Sequence, residues 1–464
     1  MNNTAARGNT SRNTSRNINI GILGDWGNNC NIEQTKVLDD LKDFEEKEGI
    51  NMIVSVGDML YHNDIPKEET LDDNINNGLN CIVERNLNSM PWLFALGNHD
   101  EESFGFSNPC LYRNRLIENI NAKFNNADGQ QIYKDMLNKY VDNGFGFSED
   151  TTFKDSHNLV FLIINTNIFE LKDKKDKKKK KTIQPGCTYE LNKRIINLFK
   201  DKSLTTKEDL SDLQEGINDY FLKGKSATDL EEKLPLLDHI FDNIDTMKFL
   251  RDKLYDYDQI NSTLSDNDKI RVIIVGHHPI IMKGHKSDKL NKYYGNVFMR
   301  FIYENVIRKF KCCIAYLCGH EHGLQYLEDT INTTVNGDTF KFIISGSGGG
   351  NEELNNYESV NNSFKAKLNT LMTDSNYNSI LYLNNYGYFV ININNSNEIT
   401  FYHKIVEITR PNQTGNGNRN RNMNRNRKII KNNRNRSKIT KIIKRNKKPK
   451  RTKKKRLIKN TKKK

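Results

Sequence analysis

Short apolar runs recur along this chain, and each ends in a glycine followed by a polar residue. Ile18 to Leu23 leads into Gly24-Asp25, Met52 to Val56 into Gly57-Asp58, and Trp92 to Leu96 into Gly97-Asn98. Later, Val272 to Val275 leads into Gly276-His277, and Ile314 to Leu317 leads through Cys318 into Gly319-His320-Glu321-His322. Runs of this length bounded by glycine predict buried strands. Between the first three, residues 31–48 space Ile32, Val37, Leu38, Leu41 and Phe44 as a helix does, with Gly49 as its stop. Glu68 to Leu87 sets Leu71, Ile75, Leu79, Ile82 and Val83 on one helical face. This β-α-β-α-β order predicts right-handed crossovers and a parallel sheet at the start of the chain.

Phe145 to Phe147 and Leu159 to Ile164 read as further strands, and residues 189–225 as a weakly amphipathic helix. A better helix spans 236–255, and another runs from Phe298 to Phe310. Strands follow at Cys312 to Leu317 and Phe340 to Ser345. The closing runs at 380–383, 388–393 and 399–402 read as antiparallel strands. The fold class is α/β, bordering on α+β. Open α/β sheets place chemistry at the C-terminal ends of their strands, so the five Gly-polar blocks can converge on one site.

Charge divides the 464 residues unevenly. The net charge is +14, yet Pro411 to Lys464 holds 24 Lys or Arg and no Asp or Glu, which leaves residues 1–410 at −10. The body is acidic, and 409–464 reads as a basic, low-complexity, disordered tail that attracts polyanions such as nucleic acid or serves as a solubilising or localising extension. Residues 1–16 read as a disordered polar arm and 17–408 as the catalytic domain. The run 172–181 is almost all lysine, so it predicts an exposed loop within an insertion at about 166–234. The seven cysteines are odd in number and irregular in spacing, which suggests no disulfide framework and a reducing compartment. Cys312, Cys313 and Cys318 lie in apolar runs and read as buried thiols. The amino-terminal stretch has no apolar signal segment, and no run is long enough to span a membrane. Location inside the cell, including the nucleus through the tail, and a monomeric state are the expectations.

The polar blocks supply a mixed set of metal donors: the carboxylates Asp25 and Asp58, the phenol Tyr61, the amide Asn98, and the imidazoles His277, His320 and His322. On an extended strand end, alternation would point His320 and His322 the same way. Taken singly, Asp25 and Asp58 read as turn or capping residues, Tyr61 as a half-buried aromatic and Asn98 as a turn residue. Together, in order and each after an apolar run, they fit two metal ions sharing one carboxylate. A phenolate donor points to Fe(III). Two such ions suit in-line attack of an activated hydroxide on a phosphorus ester. His99 could bond a phosphoryl oxygen. His278 and His285 could protonate the leaving oxygen, although His285 reads equally as a solvated loop residue and His278 as a structural one.

The blocks GDWG, GDMLY, GNHD, VGHHP and GHEH resemble those of the purple acid phosphatases among the calcineurin-like metallophosphoesterases. MPWLFALGNHD, AYLCGHEHGLQYLED, FIISGSGGG and YGYFVININNSNEITFYH resemble the small tartrate-resistant animal type. The resemblance covers Ile18 to His403 with one interruption. It implies a four-layer α/β/β/α sandwich of two mixed sheets with helices on both outer faces. By it, Asp25, Tyr61 and His322 would bind Fe(III), Asp58 would bridge, and Asn98, His277 and His320 would bind a divalent Fe, Zn or Mn. His99 and His285 would assist catalysis, and the substrate would be a phosphate monoester. The His277-to-His285 spacing departs from the family pattern, and the 166–234 segment is longer than its relatives' active-site loop, so a protease-sensitive lid is expected there. A phosphodiesterase or nucleotide hydrolase that holds nucleic acid through the tail is the alternative within enzymes. A catalytically silent scaffold of the same fold is the alternative outside them.

Overall fold

Strands β1 (Ile18–Leu23), β2 (Met52–Ser55) and β3 (Trp92–Phe94) are buried along almost their whole length and pair in parallel. Burial on both faces is why these runs are continuously apolar rather than alternating. The structure is a computed structural model that describes residues 17–27, 29–61, 67–102, 104, 106–108, 110–124, 158–169, 245–282, 297–335, 337–349, 377–383 and 385–408. Helix α1 (Ile32–Glu48) starts where the Asn31 side chain accepts the Gln34 N–H at 2.7 Å. It stops at Gly49, whose φ of 81° a residue with a side chain rarely adopts. Helix α2 (Leu71–Glu84) buries Leu71, Ile75, Leu79 and Ile82, and α3 (Leu111–Lys123) packs against it.

The second half of the described chain runs β4 (Leu159–Ile163), α4 (Asp245–Asn261), β5 (Arg271–Val275), α5 (Val297–Asn305), β6 (Cys313–Cys318), β7 (Leu324–Thr333), β8 (Thr339–Ser345), β9 (Tyr377–Leu383), β10 (Gly387–Ile393) and β11 (Ile399–Ile405). Two mixed sheets result, in the orders β11-β10-β1-β2-β3 and β4-β5-β6-β8-β7-β9. In the second sheet, Leu159, Phe161, Ile163, Ile273 and Val275 join the core shared with the first sheet, whose β10 packs on β7 and β8. The alternate residues Val160, Leu162, Val272 and Ile274 pack with Met247, Leu250 and Leu254 of α4 and Met299 and Ile302 of α5. The period-2 geometry of a strand thus sends one set of side chains to each neighbouring layer. Each fully buried side chain of this size contributes roughly 1.5–3 kcal/mol. The architecture is the expected sandwich of two mixed sheets flanked by helices.

Some expectations need correction. Helix α5 ends at Asn305 and gives way to a 3-10 turn at Ile307–Lys309, short of Phe310. α3 and β7 were not anticipated. α3 carries a buried Arg113, and β7 breaks its apolar pattern at Glu328 and Asp329. Cys30 and Cys81 form a disulfide, and Cys110 is also disulfide-bonded. Irregular spacing hid a contact made in space. Cys312, Cys313 and Cys318 are free and buried as expected, and burial pushes their thiols up. Phe145 to Phe147, the 172–181 run, the 189–225 helix and the start of the 236–255 helix lie outside the described residues. The chain divides into two units, Met1–Ile408 and Thr409–Lys464, and every described element belongs to the first. Among the described residues no helix is long and apolar enough to cross a membrane.

Candidate metal site

The loops after β1, β2, β3, β5 and β6 meet at one end of the two sheets. Three residues there hold the backbone in the left-handed region: Asp25 (φ 54°), Asp58 (φ 51°) and His320 (φ 69°). Such conformations cost of order 1–3 kcal/mol each and persist where the surroundings over-determine them. Here the surroundings do so. Asp25 N–H donates to Gly57 O at 3.0 Å, and Asp25 Oδ2 accepts the His320 N–H at 2.8 Å. Asp58 Oδ1 accepts the His99 N–H at 2.9 Å. The loops approach so closely that a Cβ on Gly97 would collide with the Asp58 backbone nitrogen and carboxylate.

All seven donor residues join one connected set. Tyr61 Oη lies 2.7 Å from Asp25 Oδ1, 3.0 Å from Asp58 Oδ2 and 3.2 Å from His322 Nε2. His322 Nε2 is 3.4 Å from Asp25 Oδ1. On the other side, Asn98 Oδ1 lies 2.9 Å from His320 Nδ1 and 3.2 Å from His277 Nε2. His277 Nε2 is in turn 3.3 Å from Asp58 Oδ2. Asp58 Oδ2 therefore belongs to both groups. The ligand atoms of Asp58, His277 and His320 lie within 4.8 Å of one another, close enough to hold one metal ion.

The two histidines of the HEH turn do not point the same way. β6 ends at Cys318, and the left-handed φ of His320 breaks the alternation an extended strand would impose. His320 consequently reaches Asn98, and His322 reaches Tyr61. The His99 ring lies 4.6 Å from that of Tyr61, and its Nδ1 is 2.9 Å from Glu102 Oε1. His278 is buried, with Nδ1 3.0 Å from Thr166 Oγ1. His285 lies outside the described residues.

The electrostatics are those of buried anions facing imidazoles. Burial alone would push the Asp58 carboxyl up, but the charge of His277, helped by His99 and His320, holds it well below the usual carboxylate range. Burial works against protonated His277, yet Asp58 raises it to about 9. Burial and the Asp25 and Asp58 carboxylates push the Tyr61 phenol well up. Among the described residues neither Asp25 nor Asp58 has a Lys or Arg partner. Buried carboxylates are normally paired or coordinate metals. A cluster of two carboxylates, a phenol, an amide and three imidazoles is a donor set suited to hard or borderline cations.

One important residue escaped the sequence reading. Asp100, fully buried, accepts the Gly97 N–H at 2.8 Å and the Met59 N–H at 2.9 Å, so it ties the Asp58 loop to the Asn98 loop. Burial and the nearby Asp58 charge raise its carboxyl to about 8. Its place three residues after Gly97, from which a short acidic side chain can reach back to the Gly97 N–H, was the available signal.

Residues 18–191 match the family model described as calcineurin-like phosphoesterase. No curated protein matches the chain. Among solved structures it is similar to the GAP50 anchor in the inner membrane complex of Plasmodium, with 14% identity over 86% of this chain and 90% of that one and a TM-score of 0.37. It is also similar to a purple acid phosphatase from yellow lupin (Lupinus luteus) seeds, with 11% identity over 85% of this chain and 53% of that one and a TM-score of 0.41. A third likeness is to a dimetal phosphatase from Danio rerio, with 12% identity over 84% of this chain and 99% of that one and a TM-score of 0.38. The segment 18–191 is thus similar to calcineurin-like phosphoesterases, and the two mixed sheets with a candidate metal-holding group at their shared end are consistent with a metallophosphoesterase sandwich.

Proposed function

We propose that this chain is a dinuclear-metal phosphomonoesterase of the purple acid phosphatase type. The observation that carries the reading is the division of seven donors into two groups that share Asp58 Oδ2. Asp25, Tyr61 and His322 would hold Fe(III), and Asn98, His277 and His320 a divalent Fe, Zn or Mn. A buried phenol between two carboxylates supports the ferric assignment, because a highly charged ion offsets the cost of ionising Tyr61 in that company. When bound, the two ions would supply Lewis-acid charge to the phosphoryl oxygens and to the attacking water. The protein's own part is to fix the donors, through Asp100 and the left-handed backbone at Asp25, Asp58 and His320. His99, oriented by Glu102, would bond a phosphoryl oxygen. We assign residues 17–408 to the catalytic domain, about 166–234 to its insertion with His285 beyond it as an acid, and 409–464 to a polyanion-attracting tail.

Metal analysis of the purified full chain, with a visible absorption spectrum on the same sample, tests the reading. Two ions per chain including iron, a purple colour and turnover of a chromogenic phosphate monoester at acid pH are expected. Two Mn or Zn in a colourless protein that prefers diesters would move the reading to a phosphodiesterase. A protein that takes up no metal on reconstitution would overturn the enzyme and leave the scaffold.

A further inference from the structure

β4 reaches the same end of the sheets as the donor loops but brings none of the seven donors. It is followed instead by Asn165-Thr166-Asn167, and these side chains reach into two of those loops. The Thr166 hydroxyl lies 3.1 Å from His277 N, 3.0 Å from His278 N and 3.0 Å from His278 Nδ1. A hydroxyl has one hydrogen and two lone pairs. Having accepted two backbone N–H groups, Thr166 must donate to His278 Nδ1. All its bonding capacity therefore goes to the two residues after Gly276.

The two asparagines grip the other loop. Asn167 Nδ2 donates to Gly97 O at 2.9 Å, to Leu96 O at 3.3 Å and to Glu101 Oε2 at 3.0 Å. Asn165 Nδ2 donates to Glu101 Oε1 at 2.8 Å, and Asn165 Oδ1 accepts the Asn167 N–H at 3.0 Å. Arg113 Nη1 stands 3.7 Å from Glu101 Oε1. Asn165 and Thr166 are 0% exposed, Asn167 3% and Glu101 4%, so none of these bonds competes with bulk water. The peptide that precedes Asn98 and the peptide that carries His277 are thus fixed by consecutive residues of one short segment. Those two peptides follow strands of different sheets, β3 and β5. Their donor atoms, Asn98 Oδ1 and His277 Nε2, come to 3.2 Å of each other.

We propose that Asn165-Thr166-Asn167 is a positioning block for the donor group of Asn98, His277 and His320, and so sets the affinity of the ion that this group takes. The inference rests on the dinuclear reading above. It adds that this group is tuned from outside the donor loops: among the described residues none of the bonds of the block reaches Asp25, Tyr61 or His322. A buried network kept only for packing would affect folding without favouring either ion. A network that aims ligands changes metal affinity by about 10–100-fold when one member is lost.

The test is a titration of the metal-depleted full chain with Mn²⁺, following bound ion per chain, in wild type, Thr166→Val and Thr166→Ser, with the melting temperature of each metal-free protein. Wild type is expected to take two ions. Thr166→Val should keep one ion at wild-type affinity and bind the other about 10–100-fold more weakly, and Thr166→Ser, which retains the hydroxyl, should restore both. If Thr166→Val does not fold, Asn167→Ala reads the same way, because it frees Gly97 O and leaves the His277 peptide held. Two ions at wild-type affinity in the valine or alanine variant would overturn the positioning role while leaving the dinuclear reading intact. Equal weakening of both ions, in step with a fall in melting temperature, would reduce the block to a structural one. A wild-type chain that takes no ion would overturn both.

Discussion

The donors grouped around Tyr61 and those grouped around Asn98 are built by different means. The first group is two oxygens and one imidazole, and its His322 keeps 11% of its side chain exposed. The second is one amide oxygen and two imidazoles, and its His277 side chain is fully buried. Asp25 is held by its own left-handed backbone and by the Gly57 and His320 peptides. Asn98 and His277 are held by side chains arriving from β4. The first group is therefore rich in negative charge, and the second is rich in directed hydrogen bonds. Charge suits an ion of high valence, and geometry suits discrimination among divalent ions. On the dinuclear reading proposed above, the two ions would differ both in identity and in how easily they leave.

Asp58→Ala should have the largest effect, because its Oδ2 serves both groups. Metal analysis is expected to find neither ion and a phosphatase assay no turnover, and one retained ion would break the shared-carboxylate assignment. His320→Ala should spare the tyrosine group. It is expected to keep one ion and the visible band while turnover falls by about 10²–10³. Tyr61→Phe should do the reverse and abolish the band, with a smaller loss of turnover than His320→Ala, as read from spectrum and rate on one preparation. The smallest effect on catalysis should come from Cys81→Ser, which opens a bridge between residues 51 apart in sequence. Denaturant unfolding should show a loss of about 2–4 kcal/mol with metal content unchanged.

Much of this was legible in the residue pattern, for identifiable reasons. The strands that lead to donors are buried on both faces, and a continuous apolar run ending in glycine is hard to mistake. β1, β2, β3, β5 and β6 were readable within a residue or two for that reason. β7 was not, since Asp329 is buried there only because Tyr303 and Arg308 come to meet it at 2.7 and 2.8 Å. The identity of the donors was readable from residue type. Their directions were not: His320 and His322 diverge through one backbone angle that no side-chain pattern records. Asn165, Thr166 and Asn167 carry no charge and follow no glycine at their strand end, and they stand out only once Gly97 and His277 are seen beside them.

The central position of β1 has a consequence for how the chain is made. Its neighbours are β2, which follows it closely, and β10, which arrives last but one: Asn392 bonds to Asn19 across a separation of 373 residues. At a synthesis rate of roughly 5–20 residues per second, the ribosome needs about 20–75 s to cover that distance. Over that interval β1 can pair only on its β2 side, and its other edge is open to any strand that offers itself. The donors from Asp25 to His322 have all been synthesised before β10 closes that edge. Nascent chains of this protein are therefore expected to hold a complete set of metal donors on an incomplete sheet, and to depend on chaperone cover of the β1 edge until the closing hairpin of β10 and β11 emerges.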